Sequence, residues 1–129
     1  LSQSCRWQQR RLAFFVRRSI VDKNKLIQLA TIHGNCDYSN NRSIKRANQA
    51  ADEFRAIIKD ASVLELDPVF DLVDHPITMA WFAFSVMDLA KPSPEQRDRC
   101  LKTIKAIASE TGPDSFGAKI WLSKYAPNA

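Results

Sequence analysis

The stretch Pro76-Ile77-Thr78-Met79-Ala80-Trp81-Phe82-Ala83-Phe84-Ser85-Val86-Met87-Asp88-Leu89-Ala90 decides the fold. Pro76 suits the first position of a helix, where its missing N–H costs nothing. Ile77, Ala80, Trp81 and Phe84 then fall on one side and Phe82, Val86 and Leu89 on another. Thr78, Ser85 and Asp88 leave one polar strip between them. A helix apolar nearly all round is a central one, surrounded by its neighbours. The apolar run Ile77–Leu89 is too short to span a hydrocarbon layer of about 30 Å, so a transmembrane segment is not expected in this chain.

Toward the C-terminus, Lys91-Pro92-Ser93-Pro94 stops that helix, and Ser93 with Gln96 forms a capping box with Pro94 at the first helical position. The helix that follows runs to about Glu110 and buries Cys100, Leu101, Ile104, Ile107 and Ala108. Gly112 and Pro113 end it, and a last helix, about Asp114–Tyr125, presents Phe116, Ile120 and Trp121 at helical spacing.

Toward the N-terminus, residues 62–75 leave two readings open. Val63-Leu64-Glu65-Leu66 reads as strand or helix end, and Pro68–Leu72 as a short helix. Before them, Ser43–Ala61 spaces Ile44, Ala47, Ala51, Phe54 and Ile58 by threes and fours, a narrow seam suited to packing along another helix. Residues 6–32 read as a long helix, with room for one break, carrying Leu12, Phe15, Val16, Ile20, Ile27 and Ala30 on one face. The turn-forming run Gly34–Asn41 separates the two, and so short a connection predicts an antiparallel hairpin.

The reading is therefore all-α: a single domain over residues 1–129, a bundle of five to six helices with an N-terminal hairpin and a central apolar helix. Residues 1–33 form its long basic helix and 43–125 the remaining helices. The composition agrees, being 45% hydrophobic and 26% charged with three glycines, which excludes wholesale disorder and makes a turn-rich all-β fold improbable. Phe54, Trp81, Phe82, Phe84, Phe116 and Trp121 are the expected large core residues, each contributing about 1.5–3 kcal/mol if fully buried.

The net charge of +5 is unevenly placed. Residues 1–25 carry Arg6, Arg10, Arg11, Arg17, Arg18, Lys23 and Lys25 against Asp22, and the rest of the chain is nearly balanced. On a helix turning about 100° per residue, Arg11, Arg18 and Lys25 stack in one stripe with Arg10 and Arg17 in the adjacent row. Trp7, Phe14 and Val21 fall between these rows, opposite the face expected to enter the core. Arginine beside aromatic rings favours contact surfaces, because guanidinium is weakly hydrated and stacks on rings. The expected binding residues are thus Trp7, Arg10, Arg11, Phe14, Arg17, Arg18, Val21 and Lys25. Three partners suit such a face: a protein, including a second copy of the chain; nucleic acid through its phosphates; and an anionic membrane surface. Arg42, Lys45 and Arg46 are expected to lie near Lys23 and Lys25 in the hairpin and extend the patch.

Other constellations point less sharply to chemistry. His33 and Cys36 have the gap of a metal-ligand pair, with Cys5 or Cys100 as further donors, but zinc sites generally take two such pairs and no second one exists. Cys36 with His33 or His75 is a conceivable nucleophile and base, although His75 stands where a helix cap would serve. Asp67, Asp71 and Asp74 share a helix face, which reads as a solvated surface in the absence of a phosphate loop. No cofactor and no metal is expected, and an enzyme is the third choice. Three widely spaced cysteines point to a reducing compartment, hence the cytoplasm, with membrane anchoring upstream of Leu1 left open. The function expected is a non-enzymatic helical protein-interaction or regulatory module, the alternative a nucleic-acid-binding domain of low specificity.

Overall fold

A computed structural model describes residues 21–125. Among them are six α-helices, α1 (Lys23–Gly34), α2 (Asn41–Asp60), α3 (Val63–Leu66), α4 (Met79–Leu89), α5 (Pro94–Ser109) and α6 (Pro113–Tyr125). One 3-10 helix, Asp67–Asp74, continues directly from α3, and no strand occurs among the described residues. The all-α bundle holds.

Helix α1 begins where Asp22, in an extended conformation, accepts a hydrogen bond from the Lys25 N–H at 3.2 Å. The expected reading of 6–32 as one helix does not hold through Asp22, and its part before residue 21 lies outside the described residues. Asn40 caps α2 in the same manner, accepting from the Arg42 and Ser43 N–H groups. The hairpin is antiparallel: Lys25, early in α1, meets Glu53, late in α2, at 3.4 Å. This sense corrects one expectation. Arg42, Lys45 and Arg46 open α2 seven to eleven residues before Glu53, so they stand roughly 10–17 Å along the helix from Lys25 and farther from Lys23. The two basic groups do not join.

Helix α2 buries Ala47, Ala50, Ala51, Phe54 and Ile58, the expected seam, with Ile44 half-buried at its edge. The segment open to two readings is helical throughout. The Ser62 hydroxyl and the Glu65 carboxylate form a capping box for α3, and the 3-10 helix buries Val69, Phe70, Leu72 and Val73.

Helix α4 packs on α2, α5 and the 3-10 helix. Phe82, Ala83 and Val86 are fully enclosed, and Phe82 meets the Phe70 ring edge-on at 5.2 Å. Two details differ from the sequence reading. The helix starts at Met79, because Pro76 opens a turn in which the His75 carbonyl accepts from the Thr78 and Met79 N–H groups. The Thr78 hydroxyl donates back to the Leu72 carbonyl at 2.9 Å, which holds this residue short of regular helix. Thr78 and Ser85 are buried, so Asp88 alone of the expected polar strip faces water.

Helix α5 starts at the expected Ser93–Gln96 capping box. Helix α6 lies on it through Ser115 and Ala118. The expected stripe of α6 is overturned: Phe116 is 70% exposed and Ile120 50%. The small residues Ser115 and Ala118 are the buried ones of α6, and Phe116 and Ile120 point away. Trp121 is half-buried, edge-on to Phe84 at 5.9 Å and donating its indole N–H to Asp88 at 2.9 Å.

A contrast in stability follows. Phe82→Ala is expected to cost about 3–5 kcal/mol, whereas Phe116→Ala should change stability by less than about 0.5 kcal/mol. Urea unfolding of both variants measures the difference.

Candidate functional site

Along α4 one side stays uncovered. There Ala80, Trp81, Phe84 and Asp88, on one stripe of the helix, and Ile77 from the turn before it line an open groove of about 900 Å³. His33 and Arg55 contribute from the hairpin, and the remaining lining comes from Ile107 and the α5–α6 connection through Glu110 to Ser115. The groove is assembled from four separate stretches of chain, which is why no local pattern announces it.

Trp81 is its fixed point. The His33 ring meets it edge-on at 4.5 Å, Phe54 supports it at 6.1 Å, and the Arg55 guanidinium lies over it at 4.9 Å from the ring centroid. A cation on an exposed indole contributes about 0.5–1 kcal/mol. Besides that ring, Arg55 has a long contact to Asp52, at 3.8 Å. Three carboxylates, Asp88, Glu110 and Asp114, share the rim with this one guanidinium, and all three are exposed.

The residues singled out for chemistry have other employment. His33 sits against Trp81, and Cys36 is a half-buried free thiol. The His75 Nδ1 accepts from the Ile77 N–H at 3.1 Å, as a capping residue does. Cys100 is buried, and loss of solvation pushes its thiol from 9.0 up to about 12. Among the described residues no group of three His, Cys, Asp or Glu is placed to hold a metal ion.

The three aspartates of the 3-10 helix serve as ties. Asp67 accepts from the Gln96 amide at 2.6 Å, Asp71 pairs with Lys23, and Asp74 pairs with Arg99 at 3.3 Å. The Lys23 ammonium beside Asp71 holds that carboxyl below its ordinary range. At the hairpin tip, the Ser39 hydroxyl and N–H do the same for Asp37.

Of the eight expected binding residues, Trp7, Arg10, Arg11, Phe14, Arg17 and Arg18 lie outside the described residues. Val21 is half-buried against the core, where an open face was expected, because it leads directly into the cap of α1. Lys25 spends its charge on Glu53 at the surface. No helix among the described residues is long and apolar enough to cross a membrane. No family model, curated protein or solved structure matches this chain.

The buried thiol gives a pH dependence of stability. The unfolded chain releases the Cys100 proton near pH 9 and the folded chain holds it to about pH 12. Above pH 9 the unfolded state therefore binds fewer protons, and stability falls as pH rises. Urea midpoints are expected to decline from about pH 9 upward, with this part of the decline absent in Cys100→Ala.

Proposed function

We propose that the chain is a non-enzymatic helical protein-interaction module that docks a partner through its basic, aromatic N-terminal segment. The observation that supports this reading is the partition of charge. Residues 21–125 hold fourteen basic and fourteen acidic side chains, while residues 1–20 hold five arginines and no acid. The bundle is thus neutral, and the entire excess belongs to a segment that also carries Trp7, Leu12, Phe14, Phe15 and Val16. With Val21 and Lys25 engaged in the bundle, the docking surface narrows to Trp7 and Phe14 with Arg10, Arg11, Arg17 and Arg18. Rings of this size anchor interfaces when desolvated, and guanidinium groups at their edges pair with carboxylates of a partner.

Nucleic acid is the second reading, since five arginines without an acid suit phosphates equally. Nothing among the described residues extends that charge into a continuous stripe, because the Arg42–Arg46 group stands at the other end of the hairpin.

The double variant Trp7→Ala, Phe14→Ala is expected to lose the partner in co-purification from native extract washed with nuclease, and to keep the fold of the parent. Unchanged binding and unchanged size in sedimentation would remove the docking reading. Retention lost to nuclease, with affinity for duplex or single strands collapsing between about 50 and 200 mM salt, would install nucleic acid in its place.

A further inference from the structure

We infer that residues 1–20 of this chain seat in cis on the groove along α4, so that the basic segment and the acid-rimmed aromatic groove cover each other. The inference uses the composition of the segment and does not depend on whether that segment also engages a partner.

Two observations carry it. The first is complementarity. The groove leaves parts of Trp81, Phe84 and Ile77 open to water beside Asp88, Glu110 and Asp114, with Arg55 as the opposing guanidinium. An occupant with apolar rings and excess positive charge satisfies both features, whereas phosphate or an anionic lipid surface meets three carboxylates. Residues 1–20 combine five arginines, no acid, one tryptophan and two phenylalanines.

The second is reach. The segment joins the bundle at Val21, where Lys23 pairs with Asp71, and His33 at the opposite end of α1 already lines the groove. The distance to cover is of the order of one α1 length, about 18 Å, from a segment that spans up to about 66 Å when extended and about 30 Å when helical. A tether this short holds the segment at an effective concentration in the millimolar range, so that a weak contact suffices in cis while a second copy at micromolar concentration competes poorly.

A nitroxide on Cys5 of the full chain tests this. Cys36→Ser removes the half-buried thiol, and the buried, unionised Cys100 does not react. Amide signals of Ile77, Trp81, Gly112 and Asp114 are expected to be several-fold weaker than those of Val63–Glu65, independently of protein concentration. Adding Glu110→Lys and Asp114→Asn, both at exposed positions, is expected to restore them, with unchanged α5 signals confirming the fold. Equal intensities in the parent overturn the inference. Broadening that survives the charge change also overturns it. Broadening seen when spin-labelled copies act on unlabelled ones assigns the groove to a second copy and overturns the placement in cis.

Discussion

Enclosing Met79–Leu89 is the constraint from which the arrangement of the other helices follows. A helix with Phe82, Ala83 and Val86 on one side and Trp81 and Phe84 on another cannot be covered by one neighbour. Helix α2, helix α5 and the 3-10 helix each take a side, and the fourth is left to the groove. The same requirement explains the irregular segment before α4. The Thr78 hydroxyl satisfies the Leu72 carbonyl, and Thr103 donates to the Val73 carbonyl at 3.3 Å, so the 3-10 helix ends in the core without orphaned acceptors there. Among the described residues no buried side-chain polar atom lacks a partner.

How much of this was legible depended on whether the deciding contact was local. The seam Ala47, Ala51, Phe54, Ile58 and the box Ser93–Gln96 are local: spacing and the reach of one side chain determine them. Pro68–Leu72 was legible as a short helix, but Val63–Leu66 stayed open between strand and helix end, because a four-residue helix running into a 3-10 turn is too short to show a period. Its anchors, the Gln96 amide on the Val63 carbonyl and on Asp67, come from a residue far along the chain. In α6 the period was correct and the side was wrong. Phe116 and Ile120 do share a stripe, but a stripe of large residues does not say which face a neighbour will take, and Ser115 and Ala118 are the buried ones.

The candidate site was less legible than the fold. Trp81 and Phe84 were assigned to the core from their helix alone, and only the positions of α2 and of the α5–α6 connection leave them half open. The basic segment was visible at once, since charge needs no fold to be counted. Its expected continuation through Arg42 and Arg46 failed on the sense of the hairpin, a matter of direction that composition does not contain. The acids of the 3-10 helix were read as a solvated face, and Asp67, Asp71 and Asp74 are exposed, but the different partner that each meets was not legible from their spacing.

The order of packing has a bearing on how the chain assembles. Helix α1 rests on α2, α4 on α5, and α5 on α6, each pair being consecutive or joined by a few residues. Such near-neighbour pairing closes small loops and loses little chain entropy before it gains burial, which places the bundle among rapid folders. The slower event is the meeting of α2 with α4, separated by the whole of residues 61–78, and the indole of Trp81 lies on that seam. In a chain whose other tryptophans, Trp7 and Trp121, are replaced, its emission would report that later docking rather than the first collapse.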